Sequence, residues 1–372
     1  MSKILRSHKK AASVTLGTTP FAKEPAFAQE SVKPIVDLSV QKIAQFSLVA
    51  KDIEKVAKRF SEVFGMTPWK FYDFRPKGIV LHDKALGNVD CLVKVAIADM
   101  GGRSFKLIQP VSGPSTYMEF MQKFGEGFLY ISLGTVIDHD KIVAALKKVG
   151  IGIEMQGRLG EKTTFTILDT LEDLGCYIEL VSPAWKDGES NLQLTGVYEH
   201  KGPSIINMET PIFSGGKRIN QVGVVLKDEQ KAAKRYQELL GIGPWIFAPS
   251  AKKTDAFLDE KPVPEEGIPG LRNDGAFAYL GDIQFELLKP AGGPSCHRKF
   301  LDKRGNGIQH LSFGRQADYD QVVAELKKAG INSEYSATLG GTTVVNYLAM
   351  QEQMGGFQLE ITKIKTALDQ MR

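Results

Sequence analysis

The segment Lys51-Asp52-Ile53-Glu54-Lys55-Val56-Ala57-Lys58-Arg59-Phe60 returns later in the chain as Lys227-Asp228-Glu229-Gln230-Lys231-Ala232-Ala233-Lys234-Arg235-Tyr236. Each copy follows a short apolar run and leads to a glycine, Gly65 or Gly241, and then to Pro68-Trp69 or Pro244-Trp245. In the first copy Ile53, Val56, Ala57, Phe60, Val63 and Phe64 recur at helical spacing, with Asp52 placed as the N-cap. A duplicated chain can be read half against half. Shared residues mark the scaffold, and differing polar residues mark where function was kept in one half and lost in the other.

Working outward, each half divides again. A strand-like run, Ile43 to Val49, precedes the first helix, and Trp69–Phe74, Gly78–Leu81, Cys91–Ala98 and Ser104–Gln109 read as strands after it. The next quarter resembles that order: a strand at Gly127–Gly134, an amphipathic helix at Asp138–Val149, then strands at Thr163–Asp169 and Cys176–Val181. The second half repeats both quarters. Gly113-Pro114-Ser115 returns as Gly293-Pro294-Ser295, and Ala145-Leu146-Lys147-Lys148-Val149-Gly150 as Glu325-Leu326-Lys327-Lys328-Ala329-Gly330. The second pair of copies lies further apart than the first pair, which places a small insertion in a loop of the second half. The fold class expected is α+β, four βαβββ modules in two tandem domains with curved mixed sheets, since two such units side by side can wrap a cleft. The boundaries are an N-terminal arm over 1–39, a first domain over 40–185, a Gly/Ser/Asn/Pro-containing linker over 186–216 and a second domain over 217–366. Which quarters share a sheet, within one chain or between chains, is open.

Composition narrows the class. With 372 residues the chain is long enough for two domains. It is 42% hydrophobic and 24% charged, with a formal net charge of +4. No dense Lys/Arg stripe points to nucleic acid, and no apolar run approaches the roughly 18 residues of a membrane span. Cys91, Cys176 and Cys296 are scattered, without the spacing of a zinc site or a disulfide framework. The localisation expected is cytoplasmic. Lys3, Arg6, Lys9 and Lys10 before a Thr/Ala/Pro-rich segment imitate an export signal without its apolar core, so a flexible arm is the reading and export the alternative.

The Lys-Asp helix after an apolar strand (219–240), Phe285-Glu286-Leu287-Leu288-Lys289-Pro290, Gly307-Ile308-Gln309-His310-Leu311-Ser312-Phe313 and Phe357-Gln358-Leu359-Glu360-Ile361 together resemble the vicinal oxygen chelate superfamily, which includes glyoxalase I and methylmalonyl-CoA epimerase. The resemblance covers residues from about 40 to 365. It implies one metal ligand on the first strand and one on the last strand of each unit. In the second half those positions hold Gln221, Glu286, His310 and Glu360, a set similar to that of some glyoxalase I enzymes. One amide, two carboxylates and one imidazole suit a divalent ion such as Zn, Ni, Co, Mn or Mg, and lack the two His and one carboxylate favoured by Fe(II) oxygenases. In the first half the same positions hold Gln45, Lys106, Tyr130 and Glu179. An ammonium group has no lone pair and repels a cation, so this half is expected to bind no metal, with Lys106 and Glu179 as an ion pair instead.

Each residue has a plainer reading. A lone His in an apolar strand is usually a satisfied core residue, and a Glu between large apolar neighbours can sit on a wet sheet face. The coincidence of His310 with two strand glutamates favours ligands, and Gln221 is the weakest of the set. Trp69 and Trp245 occur in both halves and are assigned to packing. His297, beside Cys296 after the Gly-Pro-Ser turn, is expected at the surface. Gly340-Gly341 and Gly355-Gly356 match turns, not phosphate loops.

The reaction implied is removal of a proton next to a carbonyl of a small molecule, by a metal-dependent isomerase, epimerase or lyase, with Glu360 as base and Glu286 as its alternative or partner. A glutathione or CoA thioester is one substrate class. A ring-cleavage dioxygenase of the same superfamily and a non-catalytic binding protein are the alternatives. The partners expected are a small-molecule substrate, with no nucleic acid and no membrane; a second copy of the chain in a homodimer is open.

Overall fold

The computed structural model describes residues 33–36, 43–100, 102–182, 191–206, 219–316, 318–350 and 354–365. The expected arm over 1–39 lies outside the described residues except at 33–36. Each half forms one curved mixed sheet. In the first, the spatial order is Leu192–Tyr198, Trp69–Phe74, Leu92–Asp99, Ser104–Ser112, Gln45–Val49, Gly127–Thr135, Tyr177–Ser182, Thr163–Leu168, Ile153–Leu159, Lys77–Leu81 and Lys84–Ala85. The second runs Ile246–Ala248, Arg272–Leu280, Ile283–Gly292, Gln221–Val225, Gly307–Arg315, Gln358–Ile364, Thr343–Ala349, Ser333–Leu339, Lys253–Leu258 and Lys261–Pro262. The two orders match strand for strand, apart from the extra Leu192–Tyr198. The quarters of one half therefore share a sheet within one chain, joined where Gln221–Val225 runs antiparallel to Gly307–Arg315.

One strand leaves its own quarter. The sequence groups Gly78–Leu81 with the strands around it, but Lys77–Leu81 pairs with Ile153–Leu159 of the next quarter. Lys253–Leu258 pairs with Ser333–Leu339 in the same way. Each crossing strand satisfies a backbone edge that would otherwise stand open.

The duplicated helices, Ile53–Phe64 and Glu229–Leu240, share their termini as well as their sequence. Asp52 accepts from the Lys55 N–H at 3.0 Å and Asp228 from Lys231 at 2.9 Å. Both stop at a glycine in the left-handed region, Gly65 at φ 68° and Gly241 at φ 69°, which an L side chain would strain. Trp69 and Trp245 are buried against these helices, with ring centroids 5.9 Å from Phe60 and 5.7 Å from Tyr236. Packing is their role, as the sequence suggests. The two Gly-Pro-Ser motifs do more than turn. Ser115 and Ser295 cap helices Thr116–Phe124 and Cys296–Arg304, accepting from the Met118 and Arg298 N–H groups at 3.2 and 3.1 Å.

The halves share one hydrophobic core. Phe357 of the second packs 5.7 Å from Phe60 and 5.4 Å from Phe128 of the first, and Phe313 stacks on Phe64 at 4.8 Å. The chain leading into each half docks on the helix of the other. The Ile35 and Val36 N–H groups donate to Glu238 and Leu239 carbonyls at 3.1 and 2.9 Å. Ile205 and Ile206 do the same to Glu62 and Val63 at 3.0 and 2.8 Å. The stretch between the halves thus holds an edge strand, Leu192–Tyr198 against Trp69–Phe74, and a docked segment.

Candidate metal centre

Four neighbouring strands of the second sheet set two rows of residues side by side. Gly223 is the register partner of both Glu286 and His310. Two residues back on the same strand face, Gln221 is the partner of Ser312, and Ser312 is the partner of Glu360. A Cβ on Gly223 would overlap the His310 imidazole, so the glycine lets the ring lie across its strand.

His310 Nε2 lies 3.3 Å from Glu286 Oε2 and 3.5 Å from Glu360 Oε2. Donor atoms of the three side chains all fall within 4.8 Å of one another. His310 is fully buried and Glu360 nearly so. Nδ1 of His310 lies 2.8 Å from Gln309 Oε1. An amide oxygen only accepts, so Nδ1 carries a proton, and Nε2 is the nitrogen that faces the carboxylates. Gln309 donates in turn to Gln358, and Gln358 to Glu334, which fixes the amide orientations. Glu360 Oε1 accepts from the Ser312 hydroxyl at 3.0 Å.

Three polar atoms of this cluster are buried without a hydrogen-bond partner: His310 Nε2, Glu286 Oε2 and Gln221 Oε1. Each such group costs about 1–3 kcal/mol if nothing compensates it. Burial pushes the Glu360 carboxyl above its usual range; His310 draws it down and Glu286 pushes it further up. One imidazole nitrogen and two carboxylates form a donor set that fits a divalent cation, whose charge would answer both the orphaned atoms and the crowded carboxylates.

Glu286, His310 and Glu360, predicted from sequence as ligands, are thus brought together. Gln221 stands in the adjacent row. Its amide nitrogen donates to Gln284 Oε1 at 2.7 Å, leaving Oε1 as the atom that could join the set. The two glutamates differ in access. A cleft with about 610 Å³ of empty volume, counted out to solvent, is lined by Glu286, Tyr347, Phe277 and Leu288, whereas Glu360 is not among its lining residues.

The sequence missed several neighbours. His297, expected at the surface, is 1% exposed on the helix Cys296–Arg304, because that segment is a helix whose first turn packs inward. Its ring lies 4.7 Å from that of Tyr347 and 6.1 Å from that of His310. Burial, then the nearby His310 and Lys253, hold its pKa well below the usual value. Lys253 lines the same cleft, and burial pushes its pKa down to about 8. The Ser295 cap was a signal for the helix. The contrast of Gly223 with its first-half counterpart Ser47 was a signal for the opening beside His310.

In the first half the equivalent register holds Lys106, Tyr130 and Glu179. Lys106 donates to the Tyr130 hydroxyl at 2.9 Å. Its expected partner, Glu179, acts on it through charge, opposing the downward shift that burial imposes on the ammonium. A side-chain cluster of a different kind joins His82 to Glu119 at 2.8 Å through Nε2 and to Glu154 at 3.4 Å through Nδ1. With a carboxylate on each ring nitrogen, this exposed imidazole reads as a cation bridging two anions. Burial lowers its pKa, and the charges and hydrogen bonds of Glu154 and Glu119 outweigh that to raise it.

A family model described as Glyoxalase/Bleomycin resistance protein/Dioxygenase superfamily matches residues 44–168 and again 220–345. The chain is 31% identical over 116 residues to the mitochondrial methylmalonyl-CoA epimerase of Homo sapiens, a match covering 31% of this chain and 56% of that protein. It is 30% identical over 124 residues to the Mus musculus epimerase, covering 33% of this chain and 59% of that protein. The chain thus spans little more than half the length of the curated relatives it matches. Among solved structures, a mutant of 4-hydroxymandelate synthase from Streptomyces coelicolor superposes with a TM-score of 0.52 at 14% identity. That match covers 88% of this chain and 93% of the other, and speaks to fold alone. Among the described residues, no helix is long and apolar enough to cross a membrane.

Proposed function

This chain belongs to the Glyoxalase/Bleomycin resistance protein/Dioxygenase superfamily, and on that premise we propose that its second half is a divalent-metal-dependent epimerase, isomerase or lyase that removes a proton next to a carbonyl. The observation that carries this reading is the pair of orphaned atoms, His310 Nε2 and Glu286 Oε2, facing each other 3.3 Å apart in a buried site. Glu286, His310, Glu360 and the Gln221 amide oxygen would hold the ion. When bound, the ion would polarise the substrate carbonyl and stabilise the negative charge that builds up as the proton leaves.

The protein's own groups divide the rest. Glu286 opens on the cleft, so its carboxylate takes the proton from the substrate carbon and returns it. Glu360, the base first expected, is tied to Ser312 and does not line the cleft, so it would serve to hold the ion. Gln309 keeps the proton of His310 on Nδ1. Return of the proton by Glu286 to the neighbouring carbon gives isomerisation, whereas epimerisation takes a second proton donor on the face of the carbon opposite Glu286. The epimerase relatives favour an acyl thioester as the first substrate to test. One His with two carboxylates speaks against the oxygen-using alternative, whose iron favours two His with one carboxylate.

The test is solvent exchange. Methylmalonyl-CoA and a panel of small carbonyl compounds are incubated with metal-loaded protein in D2O and followed by NMR. Deuterium should enter next to the carbonyl of one of them, and Glu286→Gln should slow this by roughly 10²–10⁴-fold, the usual contribution of a positioned base. Oxygen uptake with bound iron and no exchange would overturn the assignment.

A further inference from the structure

The cleft beside Glu286 carries two polar donors that the proposed proton transfer does not use. Lys253 Nζ donates to the Ser250 hydroxyl at 3.0 Å and to the Leu271 carbonyl at 2.7 Å. Both acceptors are neutral, and the third ammonium proton has no acceptor among the described residues. An ammonium this desolvated, without a carboxylate against it, is costly to hold. His297, on the same cleft, has Nδ1 3.3 Å from Asn273 Nδ2 and 3.7 Å from Cys296 Sγ. An amide nitrogen only donates, so Nδ1 accepts and the imidazole proton sits on Nε2. That N–H is buried and unpartnered. A cation with no anionic partner and a neutral N–H with no acceptor among the described residues thus line one cleft.

We propose that Lys253 and His297 form the anchor for a substrate carboxylate, so that the cleft selects small organic acids whose reacting carbonyl lies toward Glu286. This rests on the proposed chemistry for the position of the carbonyl, and on Lys253 and His297 for the acid. One positive charge with one neutral donor balances a monoanion. A phosphate dianion would leave charge unpaired near the Glu286 carboxylate. Phe277 and Leu288 give the cleft an apolar wall for the carbon skeleton. Ser250 positions both partners: its hydroxyl oxygen accepts from Lys253 Nζ and, at 3.2 Å, from the Asn273 N–H.

The experiment compares 4-oxopentanoate with its methyl ester by titration calorimetry, on the full chain loaded with Mn(II) and on the same chain stripped by chelator. The acid should bind the wild type at least about ten-fold more tightly than the ester, the scale of one hydrogen bond to a charged group. Lys253→Met should bring acid and ester within about two-fold of each other, Lys253→Arg should keep the preference, and His297→Phe should weaken the acid alone. Equal binding of acid and ester, no binding of either, an undiminished preference in Lys253→Met, or tighter binding of inorganic phosphate than of the acid would each overturn the proposal. Metal content is measured on every sample. A chain that prefers the acid but holds no Mn(II) keeps the carboxylate anchor and loses the metal reading, and the converse result does the opposite.

Discussion

Gly223 lies in register between Glu286 and His310, and the imidazole of His310 occupies the space that a Cβ on Gly223 would need. Gly223→Ala should therefore displace the ring while leaving the sheet ladder intact. The expected result is a folded protein, by circular dichroism, with loss of most bound metal. Unchanged metal content would show that the ring position is not what organises the site.

The acceptor behind His310 is as specific as the ring itself. Gln309→Leu removes the partner of Nδ1–H and releases the tautomer. Metal affinity should fall roughly 10–100-fold, the range for losing such a support. Competition with a fluorescent chelator reads this directly, and a change under two-fold would contradict the account.

Reading the halves against each other locates this site in the second, and it shows where sequence stops being informative. The scaffold was legible because helix caps, Pro-Trp packing and apolar periodicity are local. The clustering of Glu286, His310 and Glu360 was legible because each sits at a strand position that the resemblance assigns. His297 was not. Cys-His-Arg-Lys-Phe-Leu-Asp-Lys-Arg, 296–304, is too polar to show an inward face, so nothing along the chain reports that its first turn is buried. Lys253 was hidden for a related reason. It sits on a strand that crosses to the far edge of the sheet, a pairing set by tertiary packing rather than by spacing.

Binding of a carboxylate should depend on pH through Lys253. Burial holds its pKa down at about 8, so the ammonium is present below that value and lost as pH rises through it. Affinity for 4-oxopentanoate should be level below about 8 and decline above, the bound anion moving the midpoint upward. The other titratable groups on this cleft are Glu286, His297, Tyr335 and Tyr347. Burial keeps both tyrosines protonated and His297 neutral across that window. Lys253→Arg, whose guanidinium stays charged, should remove the decline; persistence of the decline in that variant would contradict the assignment.

The shared core makes the halves one folding unit. Phe357 bridges Phe60 and Phe128 across the boundary, so Phe357→Ala should cost about 3–5 kcal/mol in a single unfolding transition. Two separated transitions in denaturant would show that the halves unfold independently.

The central claim is that one half of a duplicated scaffold holds a metal ion. Elemental analysis of the purified full chain, after loading and gel filtration, tests it most directly. The account predicts one divalent ion per chain, lost in His310→Ala and unaffected by Tyr130→Phe at the equivalent position of the first half. An ion that survives His310→Ala, or a wild type that holds none, would contradict it.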